Sequence, residues 1–240
     1  MSWAAISRRE KIFVTIAKWA IVALFAKVLA SILIEYTRYF PADFSSDFLA
    51  GRSDYFYGLY GVAFYVHIIS GPLALIVGAF LMFSGTKARF QKIHRMLGKP
   101  QAFIVVGLVV PSGLVMATKS IAGPVAGVGL AIHGLVTAAC MILAVYFVTQ
   151  RQLARHRRWA TRCFLLLCAP LLLRLINGAA ITGGVETESV YIVNAWFSWI
   201  APLVAFEVYR VHRRNRNGNR NTFLQVGIYS NSLVQKRKTR

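Results

Sequence analysis

Four of the five histidines stand at matching points of two apolar segments, and imidazole is a side chain well suited to hold a haem iron. His67 precedes one long apolar run and His133 precedes another. The basic segments that follow contain His94 and His156, each directly before an arginine. The two His-to-His separations differ by about one helical turn. The pattern indicates a weak internal repeat of two helical hairpins.

Long apolar runs decide where these histidines lie. Hydrophobic residues make up 57% of the 240 residues and charged residues only 15%. Soluble domains carry roughly a quarter charged residues, and a run of about 20 apolar residues is long enough for a helix to cross the hydrocarbon core. The sequence therefore predicts an all-α integral membrane protein in the lipid bilayer. We expect six transmembrane helices, near 12–34, 57–83, 100–118, 123–149, 160–181 and 189–210.

Lysine and arginine are concentrated in alternate loops, chiefly 84–99 and 150–162, and near both termini. The remaining loops carry few basic residues and hold most of the acidic ones. By the positive-inside rule both termini are expected on the cytoplasmic side, in a bacterial inner membrane. Residues 1–212 are predicted to be the transmembrane domain. The polar segment 213–240 is predicted to be a basic, disordered cytoplasmic tail.

Several other classes of function find no support in the sequence. The net charge of +20 comes from short loops between apolar runs, whereas a nucleic-acid groove needs a folded basic face. Cys140, Cys163 and Cys168 lie inside apolar runs without CxxC spacing, so neither a disulfide framework nor a zinc site is indicated. A phosphate loop, paired carboxylates and a nucleophile–base pair are missing from the sequence. Whether the chain is an enzyme stays open.

Residue counting gives His67 and His133 the same depth, about 15 Å from the starts of spans 2 and 4. Spans 2 to 5 are expected to form an antiparallel four-helix bundle, in which spans 2 and 4 are diagonal partners. His67 and His133 are therefore predicted to face each other and bind one haem b. The alternative is that they only form hydrogen bonds between closely packed helices.

The other matched pair, His94 and His156, is expected at the cytoplasmic ends of spans 3 and 5. This pair is the second candidate for haem binding, and one haem is expected rather than two. The alternative for His94 and His156 is contact with lipid headgroups at the interface.

Arg174 lies roughly 21 Å from the start of span 5, close to the depth of the His67 and His133 pair. A guanidinium stays charged at any ordinary pH and therefore needs an anion, and no acidic residue is predicted at that level. A haem propionate would serve. The alternative is that Arg174 reaches out to the interface, or caps main-chain carbonyls freed by Pro170.

The stretch from His67 to Arg174 resembles a family of predicted bacterial membrane proteins, the domain of unknown function 2306. The matching text is "HIISGPLALIVGAF", "HRMLGK" and "HRRWATR", followed by the apolar run to "LLLRL". More distantly, the layout is similar to the cytochrome b-561 family, which has six helices and four histidines on spans 2 to 5. That resemblance implies one haem b on His67 and His133, a second on His94 and His156, and transmembrane electron transfer.

The sequence thus favours a membrane haem b protein that passes electrons across or into the bilayer. Its electron donor and acceptor are unknown, and a quinone is one candidate. The alternative is a non-catalytic membrane assembly, transport or scaffold protein whose histidines are structural or bind metal ions.

The loop charges make the topology testable by reporter fusions. Fusions after Gly85, Gln152 and Gly218 should report the cytoplasm, because the adjoining segments are basic. Fusions within 40–52 or 183–188 should report the exterior. An exterior signal from the fusion after Gly85 would contradict the orientation.

Overall fold

The computed structural model describes the backbone of residues 8–46, 48–85, 88–185 and 187–238. Side chains are described between residues 12 and 215, with gaps at 13–14, 17–18, 21, 47, 86–87 and 186. Helices account for most of the described backbone, and these ranges contain no strand. The prediction of an all-α chain is confirmed.

The helices follow one another with short connections. They are α1 (Arg8–Glu35), α2 (Ser53–Phe56), α3 (Leu59–Ser84), α4 (Gln91–Phe103), α5 (Val110–Ala117), α6 (Gly123–Thr149), α7 (Leu153–Thr182) and α8 (Glu188–Lys238). A π-helical segment, Ile104–Val109, joins α4 to α5, so that Gln91 to Ala117 forms one continuous helix, called here the third helix.

Five helical stretches among the described residues are long and apolar enough to cross a membrane. They are Leu59–Ser84, Ala88–Ala117, Gly123–Thr149, Leu153–Thr182 and Glu188–Asn215. Each coincides with a span predicted from the sequence. The chain is therefore an integral membrane protein with several apolar helices.

The first predicted span falls within α1, where several side chains lie outside the described residues, so its role as a span stays a prediction. The last helix is continuous to Lys238, and no helix end coincides with the predicted boundary at 212/213. Two compact units, Met1–Trp199 and Ile200–Arg240, divide within α8 instead. The assignment of 213–240 to a disordered tail stays a prediction.

Two helices begin well before the positions predicted for them. The third helix begins at Gln91 rather than near 100, and α7 begins at Leu153 rather than near 160. Their first turns are rich in Lys, Arg and His, which lowers their hydropathy and hides them from a search for apolar runs. As a consequence, His94 and His156 lie within helices and not in loops.

Four of the helices close a ring. The third helix and α7 both pack against α3, and both also pack against α6. Neighbours around the ring are antiparallel, as short connections require. We call the end that carries residues 36–58 and 118–122 the aromatic end. The end that carries 85–90 and 150–152 is the basic end.

One glycine permits a close approach of α8 to α6. A Cβ atom added to Gly129 would lie 2.8 Å from Cε2 and Nε1 of the Trp196 indole. The indole cannot retreat easily, because its Nε1 donates a hydrogen bond to the carbonyl of Val125 at 3.2 Å. Glycine at position 129 is therefore a packing requirement.

Gly129→Ala should destabilise the purified protein by roughly 1–3 kcal/mol, because the added methyl group overlaps a rigid ring. The matched control is Gly178→Ala in α7, where an added Cβ would meet nothing within 4 Å. That change should be neutral or stabilise by about 0.5–1 kcal/mol. Thermal unfolding in detergent measures both, and equal effects of the two substitutions would contradict the packing argument.

Candidate functional site

A proline inside a transmembrane helix leaves one main-chain carbonyl without its helical hydrogen-bond donor. His133 donates a hydrogen bond to one such carbonyl. Pro170 of α7 has no N–H to give to the carbonyl of Leu166, one turn earlier. Nε2 of His133, on α6, lies 3.0 Å from that oxygen. Because a carbonyl only accepts, Nε2 carries the proton and Nδ1 keeps the lone pair. The indole of Trp199 packs against the His133 ring with the centroids 6.1 Å apart.

The same arrangement occurs at the aromatic end of α3. Pro72 leaves the carbonyl of Ile68 without a donor, and the hydroxyl of Tyr36 donates a hydrogen bond to it. Burial raises the pKa of Tyr36 to about 12, although the positive charge of Arg174 acts in the opposite direction. The Tyr36 phenol therefore remains a neutral donor at physiological pH.

His67 forms hydrogen bonds with the irregular part of the third helix. The π-helical segment directly precedes Pro111, so the ladder of main-chain hydrogen bonds is disturbed there. Nδ1 of His67 lies 3.1 Å from the carbonyl of Val109 and 3.1 Å from Oγ of Ser112. An added Cβ on Gly113 would lie 3.1 Å from Cε1 of His67, so a small residue is needed beside the ring.

His94 and His156 are brought together at the basic end. Their ring centroids are 6.5 Å apart and the ring planes are inclined by 82°. Nδ1 of His156 lies 2.8 Å from the carbonyl of Ala144 and therefore carries the proton. Nδ1 of His94 lies 3.4 Å from Oγ of Ser84, a long hydrogen bond. Nε2 is left as the nitrogen for a further ligand in both rings.

The two predicted histidine pairs thus differ in the structure. His94 and His156 are ring neighbours, whereas His67 and His133 are each held by a carbonyl of a different helix. Haem binding by His67 and His133 stays a prediction.

Arg174 lies near the aromatic end of α7. Its positive charge acts on His67, on the hydroxyl of Tyr36 and on the hydroxyl of Tyr191. The guanidinium makes no ion pair or hydrogen bond with any residue in the described part of the chain. The predicted support of a haem by Arg174 stays a prediction. The Leu166 carbonyl, which Pro170 leaves without a helical donor, accepts a hydrogen bond from His133 and not from Arg174.

Sequence reasoning missed a second arginine, Arg52, which is only 3% exposed. Its Nε donates to the carbonyl of Phe48 at 2.6 Å, and its Nη1 to the hydroxyl of Tyr60 at 2.6 Å and the carbonyl of Lys119 at 3.1 Å. The rings of Phe48 and Tyr60 lie against the guanidinium, with centroids at 4.5 and 5.7 Å. The signal in the sequence was the density of aromatic residues around Arg52 in a loop with few basic residues.

Comparisons with known proteins identify one family. The family described as "Predicted membrane protein (DUF2306)" matches residues 64–209, which is more than half of the chain. Comparison with curated proteins and with solved structures found no match. The resemblance to the cytochrome b-561 family is therefore not confirmed.

The link between His133 and Pro170 predicts a coupled effect on stability. His133→Leu should cost about 1–3 kcal/mol, because it leaves the buried carbonyl of Leu166 without a donor. In a Pro170→Ala background the new N–H can serve that carbonyl, so the same change should cost about 1 kcal/mol less. Unfolding of the four variants in detergent measures the difference.

The control for this cycle is His67→Leu, whose carbonyl partner belongs to the third helix. Its cost should not depend on Pro170→Ala. Additive effects of His133→Leu and Pro170→Ala would show that the imidazole does not compensate for the proline.

Proposed function

The chain belongs to the predicted membrane protein family DUF2306, and we propose that it transfers electrons across or into the bilayer through a haem b held between His94 and His156. The observation that carries the proposal is the 6.5 Å separation of the two imidazole centroids. An imidazole nitrogen bonds a transition metal at about 2.0 Å, so two rings on opposite sides of one metal have centroids roughly 6 to 6.5 Å apart.

The hydrogen bonds of the two rings support the same proposal. Histidines that bind a metal through one nitrogen usually donate the other N–H to a carbonyl or another protein acceptor, which fixes the ring and its tautomer. His156 does so to Ala144, and His94 faces Ser84. Both rings are thus oriented before a ligand arrives.

The donor set favours a haem over a simple metal ion. No group of three or more His, Cys, Asp or Glu side chains comes together among the described residues. Structural zinc needs four protein ligands and catalytic zinc usually three. Two axial imidazoles are sufficient when a porphyrin supplies the other four nitrogens.

The helices that carry the pair supply positive charge. Lys92, Arg95 and Arg155 lie on the same two helices and are exposed. Cations at this position would suit the two carboxylates of a haem.

The roles of the residues follow from this arrangement. Haem b with two axial imidazoles supplies a one-electron couple without an open coordination position, which suits electron transfer better than oxygen chemistry. His94 and His156 would hold the iron through Nε2. Ala144 and Ser84 fix the rings, and the apolar helix faces exclude water.

We place the proposed site in a bacterial inner membrane with six spans and both termini in the cytoplasm. The basis is the distribution of Lys and Arg in the loops together with the apolar part of α1. In this orientation the basic end, and with it His94 and His156, faces the cytoplasm. An electron donor or acceptor would reach the haem edge from that side.

A quinone remains a candidate redox partner within the membrane. A cavity of about 510 Å³ opens between α7 and α8 and is lined by Ile176, Ser189, Val190, Val193, Asn194 and Phe197. Its walls are almost entirely apolar, and its volume lies in the range typical of small-molecule sites.

A non-catalytic assembly, transport or scaffold role is the second candidate, and the hydrogen bonds of His67 and His133 favour it. Each of these rings links two helices through a main-chain carbonyl, that of Val109 for His67 and that of Leu166 for His133. Such bonds stabilise helix association in a membrane without any cofactor. A colourless protein would support this function.

The full chain, purified in detergent from a haem-replete host, should show reduced alpha and Soret bands in the visible spectrum. His94→Ala and His156→Ala should each remove the sharp reduced alpha band, because ligation of the iron by two imidazoles would be lost. The exposed His212 provides the matched control, and His212→Ala should leave the spectrum unchanged.

Two outcomes would contradict the assignment in different ways. Absence of bands from the wild-type protein would reject haem binding and promote the scaffold function. Bands that vanish with His67→Ala and His133→Ala but survive His94→Ala would move the haem to the deeper pair. A haem-to-protein ratio near two would indicate that both pairs bind.

A further inference from the structure

The cavity between α7 and α8 contains a polar side chain whose acceptor is unused. This cavity has a volume of about 510 Å³, and its walls are almost entirely apolar. Asn194 of α8 lines the cavity and is only 2% exposed. Its side-chain oxygen Oδ1 accepts no hydrogen bond from any described residue. Because a buried polar atom without a partner is costly, this oxygen indicates a ligand.

The hydrogen bonds around Asn194 determine which of its atoms is left over. Its Nδ2 lies 2.8 Å from the carbonyl of Leu173 and 2.6 Å from Oδ1 of Asn177, both on α7. A carbonyl oxygen only accepts, so the amide atom that faces Leu173 must be the nitrogen. That nitrogen has two hydrogens, and both are used. The Asn194 amide therefore offers a ligand an acceptor, Oδ1, and no further donor.

Asn177 adds the opposite kind of group beside Asn194. Its Oδ1 accepts the hydrogen bond from Asn194, and the described residues offer no acceptor to its Nδ2. The amide pair therefore leaves an acceptor on Asn194 and a donor on Asn177, joined by the 2.6 Å hydrogen bond. A hydroxyl group both donates and accepts, so it complements this pair. A ketone only accepts, and it would leave Oδ1 of Asn194 unsatisfied.

The amide pair lies inside the helical region and not at the helix ends. Asn177 stands five residues before the end of α7 at Thr182, and Asn194 stands six residues after the start of α8 at Glu188. Both are therefore roughly 8–9 Å from the aromatic end along the helix axes. Hydrocarbon offers no hydrogen-bond donor at such a depth, so the donor for Asn194 must come from a ligand in the cavity.

We propose that this cavity binds a lipid-soluble hydroquinone, whose ring fills the apolar space and whose hydroxyl donates a hydrogen bond to Oδ1 of Asn194. The volume is typical of small-molecule sites, and Phe197 contributes an aromatic wall for the ring. The choice of a hydroquinone over another apolar alcohol rests on the proposed electron transfer. The oxidised quinone has no hydrogen to donate to Asn194, so the site selects the reduced form.

The first test uses two probes without redox chemistry, para-hexylphenol and its methyl ether. Each is titrated against the full chain at constant detergent concentration, and thermal unfolding measures the stabilisation. Only the phenol can donate a hydrogen bond, so its apparent affinity for the wild type should be roughly tenfold to a hundredfold higher than that of the ether. In Asn194→Leu this difference should disappear, because the acceptor is gone.

The matched control is Ser189→Ala, which removes a hydroxyl from the same cavity wall and should preserve the preference for the phenol. Val193→Trp, at a lining side chain that is 65% exposed, should fill the space and weaken the binding of both probes. If Asn194→Leu fails to fold, the wild type and Val193→Trp decide the question. Equal affinity of the wild type for phenol and ether, or a preference that Ser189→Ala removes, would overturn the role of Asn194.

The second test compares decylubiquinol with decylubiquinone in the same titration. The reduced form should stabilise the wild type at a lower concentration than the oxidised form, and Asn194→Leu should remove this difference. Any effect of haem reduction is common to the two proteins and cancels in the comparison. Equal affinity of the wild type for the two forms would overturn the hydroquinone as the occupant.

The outcome can be told apart from that of the haem proposal, because the cavity and the pair of His94 and His156 lie toward opposite ends of the helices. A colourless protein that keeps the preference for the phenol would reject the haem and support the cavity site. A protein with haem bands but without this preference would keep the haem and reject the cavity site.

Discussion

Main-chain carbonyls that lie away from water need hydrogen-bond donors. This need accounts for the hydrogen bonds that Tyr36, His67 and His133 make between helices. Prolines at 72 and 170 and the π-helical segment before Pro111 each disturb a helical ladder. Side chains from other elements then supply the donors, namely Tyr36, His133 and His67. Each irregular place in a helix is thereby a point of attachment between helices. The fold gains specific contacts where a regular apolar helix would offer only a smooth surface.

The same kind of bond orients three of the four histidines in the bundle. An imidazole has two nitrogens, and a carbonyl occupies one of them. His67, His133 and His156 each lie against a carbonyl of another helix, and of these only His156 has a second imidazole beside it, that of His94 at 6.5 Å between ring centroids. The opposite end of the bundle carries cations in place of imidazoles, with tyrosines around them.

The sequence predicted the apolar spans well, because a run of about 20 apolar residues has few alternatives to a transmembrane helix. It could not locate the starts of α4 and α7, since their first turns are charged. Equal depth suggested that His67 and His133 face each other, but depth says nothing about rotation around the helix axis. The burial of Arg52 depends on how the loop 36–58 folds, and no periodic pattern in the sequence encodes that fold.

The bond from Arg52 to the carbonyl of Lys119 joins residues 67 positions apart and has a consequence for biosynthesis. Residues 36–58 leave the ribosome long before their partners, and the partner of Tyr36 lies 32 positions further along the chain. The loop therefore leaves the ribosome before the residues that its aromatic and arginine side chains contact. It closes only after α3 and the third helix have been inserted. The folding of this earlier loop therefore depends on the correct insertion of two later helices.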